Sequence, residues 1–199
     1  MNDSGKLQRF EIGVKGHKPE IRRRNMAKSD SFFIRAQAIT SGSTYIETEI
    51  DLGSFVNLGV SKSTLMRIHN IAVQFADVTT GPAGAIYTLT TNGKIGWQVC
   101  TQTQTSLLEA SDKSIVASGG LTLLGDPTST AHPTSNNESE DVNPQAWTNG
   151  YLVGVDALFL AVDTAGTVTT GEVIVSIVIE CTLENATQAS SVALALSQQ

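Results

Sequence analysis

The sequence predicts an all-β fold: an antiparallel sandwich of about eight strands, of jelly-roll type, preceded by an extended basic N-terminal arm. Three observations predict it. From Ser31 onward apolar residues recur with period two through most of the chain. Turn signals built from Gly, Pro, Asn and Ser interrupt that pattern about every 8 to 12 residues. Charged residues make up only 16% of the chain, and Thr, Ser, Gly and Asn fill the difference. That composition suits exposed strands, because surface helices are normally rich in Lys and Glu.

Taken in order, Phe32-Phe33-Ile34-Arg35-Ala36-Gln37-Ala38-Ile39 opens the body, and Ser41-Gly42-Ser43 turns it into residues 45–52. Glu47, Glu49 and Asp51 alternate with apolar neighbours there, which marks a half-exposed strand, and the two strands are expected to pair as a hairpin or to lie as neighbours. Residues 53–62 read as a loop, with room for a helical turn begun by Ser61 or Ser63. The next strand covers 65–78, with Ile68, Ile71, Val73 and Phe75 toward the core, and Thr80-Gly81-Pro82-Ala83-Gly84 ends it. Asn92-Gly93 between the alternating runs 86–90 and 95–100 is the strongest hairpin signal in the chain. Shorter strands are expected at 106–109, 114–117 and 121–124.

Residues 125–149 carry Pro127, Pro133 and Pro144 among many Ser, Thr and Asn residues and read as a long surface loop. Two long strands, 151–162 and 172–184, close the domain, and the second is apolar on both faces, as a strand deep in a sandwich would be. The Ala, Ser and Gln pattern of 185–199 leaves an extended arm and a short helix equally open. The organisation is therefore an arm over 1–30, a sandwich domain over 31–184 and a C-terminal tail over 185–199.

Charge divides along the same line. Residues 1–35 hold nine cations against four acids, whereas 36–199 hold only Lys62, Arg67, Lys94 and Lys113 against fifteen acids. The two parts carry +5 and −11, which gives the chain its net −6. A basic, apolar-poor arm on an acidic body points to contact with a polyanion at one end. Lys15, Lys18, Arg22, Arg23, Arg24 and Lys28 are the candidate nucleic-acid-binding residues. Nothing in the chain resembles a base-reading helix, so the binding is expected to be nonspecific and through phosphates. Phe10, Ile12 and Val14 alternate, and a short strand or extended anchor is expected there on a neighbouring surface.

The remaining chemistry is sparse. His17, His69 and His132 fall in the arm, a strand and the long loop, and are too scattered for a metal site or a triad. Gly59-Val60-Ser61-Lys62-Ser63-Thr64 lacks the second glycine of a phosphate-binding loop, where Ser61 stands, and the first, where Val56 stands. Glu138, Glu140 and Asp141 read as a solvated acidic tip rather than a calcium site. Trp97 lies in a strand pattern and reads as core, Trp147 as an interface aromatic, and Cys100 and Cys181 as buried free thiols. No apolar run reaches the ~18 residues of a membrane span and no signal peptide is recognisable, so use without secretion is expected, and the triplets at Asn2, Asn137 and Asn185 read as chance rather than glycosylation sites. No catalytic residue, metal or cofactor is expected, and the chain reads as a non-enzyme.

With Lys15-Gly16-His17-Lys18-Pro19-Glu20-Ile21-Arg22-Arg23-Arg24 standing ahead of an eight-stranded body, the layout resembles the single jelly-roll capsid proteins of icosahedral viruses. The resemblance covers the whole chain in architecture and rests on no diagnostic motif. It implies a viral coat protein that self-assembles into the virion shell, is made in the host cytoplasm and turns its arm to the interior. The implied partners are copies of the chain itself, other capsid proteins and nucleic acid, with the modest arm charge leaving contact with neighbouring arms or an internal membrane open. The alternative is a β-sandwich adhesion or carbohydrate-binding module whose arm is a basic linker. A secretion signal or an exposed aromatic platform would favour that alternative. A sandwich hydrolase ranks third, because it needs acids or histidines converging on one face.

Overall fold

The computed structural model describes residues 29–58, 62–88, 91–125, 128, 136–166, 168 and 171–198. Among the described residues nine strands form in chain order: β1 (Phe32–Ile39), β2 (Ile46–Asp51), β3 (Lys62–Asp77), β4 (Gly93–Cys100), β5 (Ile115–Leu123), β6 (Asn136–Val142), β7 (Tyr151–Val153), β8 (Ala157–Gly166) and β9 (Val173–Thr187). A helix, α1 (Gln188–Ser197), follows. The strands build two antiparallel sheets, one ordered β1-β9-β3-β7 and the other β2-β8-β4-β5-β6. The pairings nest: β4 with β5, β3 with β7, β2 with β8 and β1 with β9. A long antiparallel ribbon rolled on itself has this order, and it defines the jelly roll. β6 adds one edge strand beside β5.

The core lies between the sheets. On β9 the inward residues Val173, Val175, Ile177, Ile179 and Cys181 are at most 1% exposed, and across from them Ile95, Trp97 and Val99 of β4 and Leu158, Leu160 and Val162 of β8 are at most 2% exposed. Each such aliphatic side chain contributes roughly 1.5 to 3 kcal/mol on leaving water. β3 serves this core on both sides of a bulge, because its register with β9 shifts between Ile68 and Asn70. The extra residue, His69, lets Ile68 and Ile71 both face inward although they are three apart. Gly119, opposite Trp97, has no room for a side chain: a Cβ there would collide with the Ser139 carbonyl of β6 and stand 3.0 Å from the indole nitrogen.

Several elements differ from the sequence expectation, each for a physical reason. β1 and β2 form no hairpin, since the turn at residues 41–44, with Gly42 at φ +58°, carries the chain from one sheet to the other. Thr40 holds the end of β1 to β9, donating its amide to the Val173 carbonyl (2.9 Å) and accepting from the Val173 amide at Oγ1 (2.8 Å). Asn92-Gly93 makes no hairpin either, and residues 86–88 are not a strand. β4 pairs instead with β5 and β8 along its whole length, and those long-range partners bury both its edges.

Residues 151–162 are two strands in different sheets, because the chain crosses over at 154–156, where the Gly154 amide donates to the Gln198 side chain (2.8 Å). The expected strands at 114–117 and 121–124 are one strand, β5, continuous through Gly119 and Gly120. The expected strand at 106–109 is irregular: the Gln98 side chain accepts from the Leu108 amide (2.8 Å) and donates to the Ser106 carbonyl (3.3 Å), occupying groups a ladder would use. The presumed surface loop 125–149 contains β6 and a single 3-10 turn, Pro144–Ala146. The tail is a helix, with Thr187 as its cap accepting from the Ser190 amide (3.3 Å).

Candidate functional site

The two sheets present different outer faces. The five-stranded sheet is covered by residues 101–114 of its own chain. Gln98, fully buried on that face, holds Ser106 and Leu108, and Glu47 of β2 accepts from the Thr103 hydroxyl (2.6 Å) and the Gln104 amide (2.9 Å). Burial, and then the carboxylate of Glu47 accepting its hydroxyl proton, push the Tyr45 phenol upward from its ordinary range. Leu107 lies over Gly96, where an added Cβ would collide with it.

The four-stranded sheet is covered by described residues only at one end, where α1 lies over β3 and β9 and where Ser63, Leu65, Thr182 and Glu184 are buried on the outer side. Its outer face shows Phe33 (54% exposed) and Ile39 (37%) on β1, half-buried Ile174 and Val178 on β9 and exposed Ala72 on β3. Alternation along β9 places Ile174 and Val178 on the face opposite the core. Arg35 and Glu180 also lie on this face, with the Arg67–Glu184 pair at its α1 end.

A second apolar surface belongs to α1. Ser191 donates to the Ser63 hydroxyl (2.9 Å), while the buried Gln198 donates to the Leu152 carbonyl (2.6 Å) and accepts at its own carbonyl from Thr101 (2.6 Å) and Gln102 (3.0 Å). The helix is thereby fixed to the end of the sandwich, and Val192 and Leu196, one turn apart, remain 46% and 67% exposed. Sequence reasoning left this helix open, although Thr187 ahead of an Ala- and Leu-rich run was a legible cap signal.

On one side of the sandwich the end strands β1 and β2 leave an open cleft of about 680 Å³, lined by Ile34 and Ala36 of β1, Thr48 and Ile50 of β2 and Ile177 of β9. Trp147 is 45% exposed and tilts over Tyr151 with ring centroids 5.8 Å apart, as expected of a surface aromatic, whereas Trp97 is buried in the core.

Lys15, Lys18, Arg22, Arg23, Arg24 and Lys28 lie outside the described residues, as do Phe10, Ile12 and Val14. What is described is where the arm joins: the Ser29 amide donates to the Leu183 carbonyl (3.3 Å) and its hydroxyl accepts from the Leu183 amide (2.7 Å). The arm therefore leaves from the edge of the uncovered sheet, beside the last turns of β9.

The ionisable groups inside the body serve structure. Burial pushes both Cys100 and Cys181 up to about 12, and the two thiols are unbridged. Thr80, through hydroxyl (2.7 Å) and amide (2.6 Å), and the Thr79 amide (3.0 Å) hold the Asp77 carboxyl below its ordinary range, and Ser114 does the same for Asp112. Arg67 donates twice to Glu184 (2.7 and 2.8 Å) and once to the Asn149 carbonyl (2.6 Å). His69 shares a hydrogen bond with Thr182 (2.8 Å). Glu138, Glu140 and Asp141 are exposed on β6, and no three His, Cys, Asp or Glu gather as a metal site among the described residues.

These features define a jelly-roll β-sandwich with one bare face and a basic arm. No protein-family model matches the chain, and no curated protein matches it. Among solved structures it is similar to human polyomavirus 12 VP1 in complex with 3'-sialyllactosamine (9% identity, TM-score 0.40, 79% of this chain and 99% of that one). It is also similar to desmodium yellow mottle tymovirus (9%, TM-score 0.34, 94% and 97%) and to the Merkel cell polyomavirus virus-like particle (8%, TM-score 0.34, 94% and 82%). With TM-scores this low, the likenesses add nothing to what the strand order itself establishes.

Proposed function

We propose that this chain is a viral capsid protein, the repeating subunit of a self-assembled virion shell, and not an enzyme. The observation that carries the reading is the part of the four-stranded sheet's outer face that no described residue covers, with Phe33, Ile39, Ile174 and Val178 at its surface and the basic arm leaving from its edge. A monomer that covers one sheet with its own loop and leaves the other apolar has surface to give to a neighbour. The exposed Val192 and Leu196 of α1 offer a second, separate patch. Closed assemblies need at least two such contacts with different neighbours, because a single self-complementary patch stops at a dimer.

In this reading the arm, residues 1–30, lies inside the shell and meets the genome or neighbouring subunits through Lys15, Lys18, Arg22, Arg23, Arg24 and Lys28, without reading sequence. The acidic body keeps its charge away from that polyanion. The partners are then other copies of the chain, other capsid proteins, nucleic acid and, where the shell encloses one, an anionic membrane surface.

Two variants test it in the full chain. Val178→Asp and Leu196→Asp are expected to leave the circular dichroism spectrum unchanged and to shift sedimentation from large assemblies to small species. Wild-type protein that sediments as a monomer at every concentration and salt overturns the proposal. For the arm, replacing Arg22, Arg23 and Arg24 by Ala is expected to weaken binding equally across unrelated oligonucleotides. The slope of log affinity against log salt should fall by roughly 0.9 per lost contact on duplex DNA and about 0.7 on single strands. Equal affinity and slope for the two proteins would remove nucleic acid from the arm's partners.

A further inference from the structure

The cleft between β1 and β2 is an unfinished part of the core. On β9 every inward residue from Val173 to Cys181 is at most 1% exposed, whereas on its neighbour β1 only Ala38, at 2%, is comparably buried and the other inward residues, Phe32, Ile34 and Ala36, are half-buried. β1 ends its sheet and β2 ends the other, so each presents a free row of backbone donors and acceptors at the mouth of the same opening. An open edge beside half-covered aliphatic side chains is where an extended segment adds as a strand, with backbone bonds giving affinity and alternate side chains filling the gap. On the outer side of β1, Arg35 is exposed and makes no ion pair with any described residue.

The chain itself carries a segment of the required chemistry. In Phe10-Glu11-Ile12-Gly13-Val14 the apolar residues alternate, so an extended backbone puts Phe10, Ile12 and Val14 on one side and Glu11 on the other. Five residues span roughly 17 Å, a length that matches the part of β1 lining the cleft. The path is available too. The arm leaves the described body at Ser29, next to the start of β1, and the residues between Val14 and Ser29 reach roughly 50 Å when extended, about twice the length of β1. A segment tethered this closely is presented at an effective concentration of about millimolar, which favours it over the same segment from another molecule.

We propose that Phe10 to Val14 of the chain's own arm adds as a further strand to the free edge of β1, with Phe10, Ile12 and Val14 covering Ile34, Ala36 and Ile50 and with Glu11 beside Arg35. The consequence is that residues 15–28, which include Lys15, Lys18, Arg22, Arg23, Arg24 and Lys28, form a loop anchored at both ends rather than a free tail. The cations are then displayed at one place on the sandwich. The inference holds whether or not the chain builds a shell.

Hydrogen–deuterium exchange of the full chain tests it, read by mass spectrometry on peptides covering 32–39 and 46–51. In wild type, amides of β1 are expected to exchange slowly, and at a rate independent of protein concentration. In the double variant Phe10→Asp, Ile12→Asp their exchange should rise about tenfold or more, while peptides of β4 and β9 stay protected, which shows that the body is folded. Arg35→Glu should weaken protection, and Glu11→Lys added to it should restore it. Fast exchange of β1 in wild type overturns the proposal, as does slow exchange that the arm substitutions leave unchanged. Protection that grows with protein concentration also overturns it, by assigning the edge to a second copy.

Discussion

The two sheets of this sandwich have similar inner faces and opposite outer ones. The five-stranded sheet buries even its outward residues, Gln98 and Cys100 among them, under a loop pinned by Gln98 and Glu47. The four-stranded sheet leaves Phe33, Ile39, Ile174 and Val178 without cover from any described residue, and the arm departs from its edge. The inner faces supply stability, the covered face is closed by the chain's own loop, and the bare part of the other face is the surface proposed above for contact with a neighbour. A difference of that kind separates positions whose replacement unfolds the protein from positions whose replacement isolates it.

The largest effect is expected at the shared core. Ile179→Ala on β9, fully buried and away from the cleft, should cost about 2 to 5 kcal/mol in denaturant unfolding, because its surroundings are too tightly packed to collapse onto the space left. Arg67→Met should cost about 3 kcal/mol by the same measurement, since Glu184, only 5% exposed, loses its bidentate partner. Gln98→Leu should cost about 1 to 2 kcal/mol and should speed proteolysis within 101–114, because the covering loop loses two of its ties. Val178→Asp on the bare face should change stability by no more than about 1 kcal/mol while reducing assembly. Equal unfolding costs for Gln98→Leu and Val178→Asp would erase the distinction between the two faces.

Two further outcomes follow from ionisable groups. Asp77 has its folded pKa held below the unfolded value of about 3.9, so it stabilises the fold above that pH, and the contribution is lost as pH falls through the folded pKa. Asp77→Asn should therefore flatten the loss of stability on the acid side of pH 4 in thermal melts. Cys100 and Cys181, pushed up to about 12 by burial, should resist alkylation at pH 8 in the folded protein and react at once in denaturant.

Much of this architecture was legible in the chain. β9 is legible because its apolar residues run on both faces, yet that pattern implies burial on both sides, whereas Ile174 and Val178 lie on a part of the outer face that no described residue covers. The hairpin at Asn92-Gly93 was misread because a local turn signal says nothing of which strands compete for the edges of β4, and β5 and β8 lie beyond it in sequence. Gly119 and Gly120 lie between the two short strands the sequence predicts, yet both belong to β5, where Gly119 leaves room for Trp97 and Gly120 lies close to the Ile95 carbonyl. Histidine 69 was placed in a strand correctly, but period two cannot announce a bulge, so Ile68 and Ile71 were grouped without the residue that lets both face inward. The arm's charge was legible in full, since it depends on composition alone. The exposed faces were not, because they depend on which sheet the 101–114 loop covers.

The claim that this chain is a shell-forming subunit is tested most directly by negative-stain microscopy of the purified full chain over a range of protein concentration, at low and high salt. The account predicts closed particles of uniform size in at least one of those conditions, and their loss in Val178→Asp. Monodisperse single subunits in every condition, with Val178→Asp indistinguishable from wild type, would contradict it.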